Sequence, residues 1–404
     1  MLTPDGKSLY VANGDADTIS VVDVASHRQT ATIPVNRNGS KLVGANPTGL
    51  ALSQDGKRLY VTNSGHNEVA VINAATRKVI GDIPTGWYPT QVLAHDGKLS
   101  ITSAKGLGAG PNNGPGHPNP TDPRDTAENQ DSGGMLKGLL SPVSEPAAAT
   151  LAKLTATVEK NNTANDPARS SAVPNQIGTT SSKIKHVIYI VRENRTFDQE
   201  LGSNGRGNAD PSLNLFGEES APNTRALARQ FTTFDNFYAD AEVSANGWNW
   251  VSQANSNPWS EEMWPSNYSG RGAPYPAESN DPDSRAKEHD SYFWEHLSKN
   301  NISFRNYGFY TTLDKKGKAH GVDKKILDPN TDHDFIGWSL DCPDSARSFA
   351  PMAKNCGPKS RVDEWKSDFN KQLAKGSVPT VQLVRFGNDH TQATKVGVPT
   401  PQAY

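Results

Sequence analysis

The feature that most constrains this chain is a repeat at its start. Residues 2–13 read LTPDGKSLYVAN and residues 52–63 read LSQDGKRLYVTN. Residues 93–103, LAHDGKLSITS, give a third and decayed copy. The Asp-Gly-Lys turns begin at Asp5, Asp55 and Asp96, spacings of 50 and 41 residues. Each full unit continues into a second alternating run, TISVVDVAS (18–26) and EVAVINAAT (68–76). A third run follows, TATIPV (30–35) and KVIGDIPTG (78–86). Asp-Gly between alternating apolar runs signals a hairpin, because both turn positions favour positive φ. Several short strands per unit at this period predict the blades of a β-propeller.

The units resemble the YVTN family of β-propeller repeats, through Tyr10-Val11-Ala12-Asn13 and Tyr60-Val61-Thr62-Asn63. Two to three blades are visible over residues 1–106, and a closed ring typically takes four to eight. The reading is therefore a partial all-β propeller, with blades upstream or a completion by other means. Residues 107–182 carry no sustained apolar period and are dense in turn formers, as in GLGAGPNNGPGHPNPTDPRD. They read as a largely irregular linker or insertion, with one short helix over 147–159 where the apolar spacing becomes near-helical.

A different pattern starts at Lys183. IKHVIYIV (184–191) is a continuous apolar run, as expected of a strand buried on both faces in a parallel sheet. Helices are predicted over 221–231 and 290–300, and strands over FTTFDNFY (231–238), ISFRNYGFY (302–310) and TVQLVRF (380–386). Alternating strands and helices predict a three-layer α/β domain over 183–404.

Three polar clusters follow predicted strands, where open α/β sheets bind ligands. The first contains Glu193 and Asn194, a carboxylate beside a carboxamide. Such a pair offers two hard oxygen ligands to a divalent cation, and an ordinary polar loop is the plainer reading. The second, residues 240–250, carries Ser244 at an expected helix start. Free N–H groups and the dipole there suit a phosphoryl group, and a hydroxyl near a cation becomes a nucleophile. The plainer reading makes Ser244 a helix N-cap. The third is Gly387-Asn388-Asp389-His390-Thr391, where Asp389 and His390 contact metal or phosphate or form a surface loop. Trp248, Trp250, Trp259 and Trp264 line a pocket or build core.

Residues 183–404 resemble the bacterial phosphoesterases that include phospholipase C and acid phosphatase enzymes, within the alkaline-phosphatase superfamily. The resemblance rests on six blocks in order: 184–202, 207–217, 231–250, 264–272, 303–310 and 386–391. It implies an alkaline-phosphatase-like parallel sheet and metal-assisted hydrolysis of phosphoric esters. Glu193 and Asn194 match the first metal-ligand pair, and Ser244 matches the nucleophile. The segment VSANGWNW differs from the Pro-Thr-x-Pro-Asn type loop of the phospholipase branch. His390 matches a histidine that touches phosphate, with Asp389, Asn246 and Asn249 as accompanying substrate contacts. The family places a further Asp-Asp metal pair downstream of the Asn-Asp-His segment, whereas this sequence ends at Tyr404. The chain therefore reads as truncated, with an incomplete sheet domain and half of the ligand set.

The resemblance implies a divalent cation of unspecified identity, a phosphate ester or phospholipid head group as partner, and a periplasmic or secreted location. A net charge of -2 provides no field for holding nucleic acid. No run of about 18 apolar residues predicts a membrane span, and the N-terminus shows no basic-then-apolar signal. The two cysteines, Cys342 and Cys356, either close a disulfide in an oxidising compartment or stay as thiols. A second class of function stands beside the enzyme: a propeller-based binding or scaffold protein with a vestigial hydrolase domain.

Overall fold

The computed structural model describes residues 1–36, 44–108, 137–162, 184–235, 237, 239–278, 292–345, 356, 359–388 and 390. The repeats form three antiparallel sheets. The first is β1 (Ser8–Asn13), β2 (Thr18–Asp23) and β3 (Arg28–Pro34), in that order. The second is a four-stranded meander of β4 (Pro47–Leu52), β5 (Arg58–Asn63), β6 (Glu68–Asn73) and β7 (Lys78–Pro84). The third joins β8 (Trp87–His95), β9 (Lys98–Gly106) and β10 (Leu139–Ser144) in the order β10-β9-β8.

The repeated sequence makes repeated contacts. In the first copy Thr3 and Ser8 close the loop, and the Asp5 carboxylate accepts from Thr3 Oγ1 and the Lys7 amide. In the second, Ser53, Arg58, Asp55 and Lys57 repeat these bonds. Both loops are longer than the two-residue hairpin expected from the sequence, and only Gly6 and Gly56 have positive φ. Positive φ at both turn positions occurs at Asp96-Gly97 alone of the three copies. Asp17 and Asn67 also correspond. Asp17 accepts the amides of Gly44 and Asn46, and Asn67 Oδ1 accepts that of Tyr88 at 2.8 Å. Each thus ties its own sheet to the chain entering the next.

The sheets stack face to face, as blades do. Because side chains alternate along a strand, Leu59, Val61, Ala70 and Ile72 meet Tyr10, Ile19, Val21 and Ile33 of the first sheet. Tyr60, Val69 and Val71 meet Val92, Leu99 and Ile101 of the third. The stretch expected to be largely irregular contributes β10, and the short helix expected over 147–159 is helix α1 (Ala148–Asn162). Thr155 Oγ1 of α1 accepts the Asp82 amide at 2.9 Å. Gly81 permits this approach, since a Cβ there would lie 2.6 Å from Leu151 Cγ.

The second half contains a three-stranded parallel sheet, β11 (Val187–Arg192), β12 (Phe304–Tyr307) and β15 (Val381–Phe386), ordered β11-β15-β12. A hairpin of β13 (Thr311–Leu313) and β14 (Ala319–Gly321) lies between β12 and β15 in the chain. The helices are α2 (Phe197–Leu201), α3 (Pro222–Gln230), α4 (Ser244–Gln253), α5 (Pro258–Tyr268), α6 (Phe293–Lys299) and α7 (Arg361–Ala374). Val381 and Leu383 of β15 pack with Trp248 of α4 and Trp294 of α6. Val384 points the other way, into a cluster that includes Trp365 of α7. Elements therefore cover both faces of the sheet, a mixed α/β arrangement.

Two expectations are corrected. The 184–191 run is an edge strand, with Val187, Ile188 and Ile190 at 48%, 43% and 51% exposure. It is apolar, yet only β15 pairs with it among the described residues. FTTFDNFY forms no strand over its described residues, and Phe231, Phe234 and Phe237 stand exposed. No helix among the described residues is long and apolar enough to cross a membrane.

Candidate active site

Of the residues singled out from sequence, Glu193 and Asn194 directly follow β11. Alternation sends Tyr189 and Val191 of β11 to the α4 face, and Glu193 continues that parity. The Glu193 amide donates to Phe386 O at 3.2 Å, extending the ladder by one residue. On β15 the same parity runs Val381, Leu383, Arg385. Arg385 therefore meets Glu193, and its Nη2 donates to Glu193 Oε1 at 2.6 Å. Its Nη1 pairs with Glu278. The guanidinium lies over the rings of Trp248, at 4.2 Å, and Trp338, at 4.8 Å. These faces favour a cation. Arg385 is buried, and its Nε has no hydrogen-bond partner among the described residues.

The pair continues to the start of α4. Burial pushes the Glu278 carboxyl up; Arg385 opposes the shift and Glu193 adds to it. The Tyr275 phenol is raised far above its ordinary value, by burial first and then by the Glu278 carboxylate. Tyr275 stacks on Tyr268, with ring centroids 6.4 Å apart. Tyr268 is raised chiefly by burial, with Glu278 and Glu193 adding to the shift. Its hydroxyl accepts the Ala245 amide at 3.3 Å. Ser244, the residue before Ala245, is the first residue of α4 and is half-buried. Val243 occupies the N-cap position, so the N-cap reading of Ser244 does not hold. One connected cluster thus runs from Glu193 to the helix start.

The other expected residues divide. Asn194 is exposed beside Glu193. The His390 ring meets Trp338 edge-on at 5.3 Å, one contact away from Arg385. Asp389 lies outside the described residues. Asn249 is fully buried, donating to Ser260 Oγ and Pro276 O and accepting from the Tyr310 hydroxyl. That environment is core. Asn246 is also buried, and its Nδ2 donates to Glu261 Oε1 at 2.5 Å. Trp248 and Trp264 are buried, while Trp250 and Trp259 are half-buried. Cys342 and Cys356 form a disulfide, with Cα atoms 5.1 Å apart.

The repeats reach this region through Lys105. It sits 2.9 Å from carboxylate oxygens of both Glu242 and Glu261, on either side of α4 in sequence. Burial works to lower the Lys105 pKa, but Glu261 and Glu242 outweigh it, so the ammonium is held more firmly than usual. Sequence reasoning passed over Arg385, Glu278, Tyr268 and Tyr275. The signal for Arg385 was visible: a lone cation in the apolar run VQLVRF.

Glu193 and Asn194 are hard oxygen donors, as a divalent cation requires. Arg385 already holds the Glu193 carboxylate, and no group of three closely placed His, Cys, Asp or Glu among the described residues includes Glu193. The donor set fits a cation only in part.

No family model matches this chain, and no curated protein matches it. Among solved structures, hydrazine synthase of Kuenenia stuttgartiensis is similar at 22% identity and a TM-score of 0.23, over 26% of this chain and 28% of that one. The WD40 repeats of RRP9 are similar at 21% identity and a TM-score of 0.23, over 26% and 31%. The β-propeller domain of Myceliophteria thermophila Cps50 is similar at 13% identity and a TM-score of 0.22, over 26% and 32%. The matched part spans about a third or less of each of those chains. Likenesses of this size carry no functional inference.

Proposed function

We propose that this protein hydrolyses phosphoric esters, with Ser244 as the nucleophile. The observation that supports this most is the pairing of Glu193 and Glu278 with the buried Arg385 near the strand ends, beside the Tyr275–Tyr268 ring stack whose Tyr268 hydroxyl, on α5, accepts the Ala245 amide at the first turn of α4. A phosphate ester seated there meets the positive end of the helix and a buried guanidinium. Ser244 Oγ attacks phosphorus, its O–P bond forms, and the ester P–O bond breaks. The serine proton passes to a base in the cluster, and the alcohol departs with a proton. Water then cleaves the phosphoserine, releasing phosphate and restoring the hydroxyl. His390, at the Trp338 edge of the cluster, donates to a phosphate oxygen or to the leaving alcohol. A divalent cation bound by Glu193 and Asn194 would neutralise phosphate charge and lower the pKa of the serine hydroxyl.

The resemblance to the phospholipase C and acid phosphatase branch supports a phosphomonoester or a phospholipid head group as substrate. The disulfide supports a periplasmic or secreted location, since such bonds persist in oxidising compartments. Ser244→Ala is expected to lower hydrolysis of p-nitrophenyl phosphate by about a thousandfold or more. Unchanged turnover in that variant overturns the assignment.

One observation favours the scaffold reading. Arg385 pairs with both Glu193 and Glu278, so these carboxylates have a counter-charge without any added ion. In that reading the blades carry recognition and the cluster is structural. The wild-type chain then shows no hydrolysis with or without divalent cations.

A further inference from the structure

A second polar cluster lies on the β13–β14 hairpin and the segment that follows it, and the phosphoesterase reading does not use it. His320 of β14, Asp328 and His333 each offer a ligand atom within 4.8 Å of the others. The two imidazole rings have centroids 4.5 Å apart. His320 Nδ1 faces Asp328 Oδ1 at 3.3 Å, and its Nε2 faces Asp314 Oδ2 at 3.5 Å. His333 Nδ1 lies 2.6 Å from Ala319 O, while the Ala319 amide donates to His333 O at 2.9 Å. Asp328 Oδ1 accepts the Gly321 amide at 2.8 Å, which fixes that carboxylate against β14.

We propose that His320, Asp328 and His333 bind a borderline divalent transition-metal ion of the zinc class. Metal-bound histidines almost always donate their other ring N–H to a carboxylate or a backbone carbonyl, which sets the tautomer. His333 makes the carbonyl bond, and His320 has a carboxylate facing its second nitrogen. His333 Nδ1 lies 4.0 Å from Asp328 Oδ1 and gives its N–H to Ala319 O, so the ring must turn to bring the Nε2 lone pair to the ion. His320 turns Nδ1 toward Asp328 and Nε2 toward Asp314.

Zinc–nitrogen bonds of about 2.0–2.1 Å in a tetrahedron place ligand atoms roughly 3.4 Å apart. Ligand atoms lying within 4.8 Å of one another need to close by roughly 1.4 Å at most, within reach of χ rotation in partly exposed side chains. Two imidazoles and one carboxylate select zinc, cobalt or nickel over calcium and magnesium, which prefer all-oxygen sites. Lys324 Nζ lies 3.5 Å from Asp328 Oδ2, an exposed pair that is easily displaced. His333 is exposed, so the fourth position takes water. The ion clips the hairpin to the segment ending at His333.

The test uses the full chain, stripped with chelator and titrated with Zn2+ by calorimetry and with Co2+ by visible absorption. Tetrahedral Co2+ absorption is expected in the wild type. His320→Ala and His333→Ala should each weaken Zn2+ binding by more than a hundredfold. Asp314→Asn should weaken it by about ten- to a hundredfold, because the carboxylate that orients the His320 ring is lost. Glu193→Gln should leave this binding unchanged, which separates it from any ion at the strand ends. Near-equal affinity in both histidine variants overturns the proposal, as does an absent Co2+ band. Equal thermal midpoints of metal-free wild type and variants would establish that lost binding is not lost folding.

Discussion

Strands β5 and β6 and strand β11 are similarly apolar, yet they end in opposite environments. β5 and β6 are buried on both faces, because sheets with the same repeat stack against each side. β11 leaves three large apolar residues about half exposed at the edge of a three-stranded sheet. Apolarity decides that a segment seeks a neighbour, and the neighbour decides how much it buries. The α/β half relies instead on buried cations that hold irregular chain. Arg361 donates to the carbonyls of Ile336, Gly337, Ser339 and Cys342 and to Asp344 and Asn388. It thereby ties the chain from Ile336 to Asp344 to Asn388, just beyond β15.

The largest effect is expected from removing that centre. Arg361→Ala leaves several buried carbonyls and Asp344 without their donor and should cost about 3–5 kcal/mol. Urea denaturation reads this. A loss under about 1 kcal/mol would mean that the loops of the α/β half stand without their buried cation.

The second prediction sets the two halves against each other. Leu59→Ala, at a fully buried position between two sheets, should cost about 2–5 kcal/mol. Ile190→Ala, at a position 51% exposed, should cost less than about 1 kcal/mol. Similar losses at both would show that another surface covers β11 in solution and would remove the contrast.

The smallest effect concerns Glu278. Its carboxyl is raised in the folded chain, so between its unfolded and folded pKa the folded state holds more proton than the unfolded state. Stability from this group is therefore present at low pH and is lost as pH rises through the raised value. Glu278→Gln removes that loss. The gap between wild-type and variant melting temperatures should shift in favour of Gln as pH rises above the ordinary carboxylate range. A pH-independent gap would mean that Arg385 fully offsets burial.

The blades were legible because their determinants are local and repeated. Alternation placed the strands, and Asp55 with Gly56 placed the turn between β4 and β5. β10 was missed because its Leu139–Ser144 sequence, with Pro142 at its centre, carries weak strand signal and gains order by pairing with β9. The parallel strands were found as apolar runs; β15 is buried as its run implied, but the burial of β11 was not read correctly, since it depends on partners remote in sequence. The candidate site was half legible. Glu193 and Ser244 stood out by type and position. Glu278 and Tyr268 did not, because only the fold brings a carboxylate and a phenol distant from β11 to Arg385 and Ala245. Asn249 looked like a polar site residue, and the same hydrogen-bonding capacity satisfies the core beneath α4.

The account rests on Ser244 acting as a nucleophile at the end of the Glu193–Arg385 cluster. The most direct measurement is to quench the protein in acid during turnover of a phosphate ester and map the phosphoryl group by peptide mass spectrometry. The account predicts one added phosphoryl group on the peptide containing Ser244, absent in Ser244→Ala. Turnover with that peptide unmodified, or a phosphoryl group found on another residue, would contradict it.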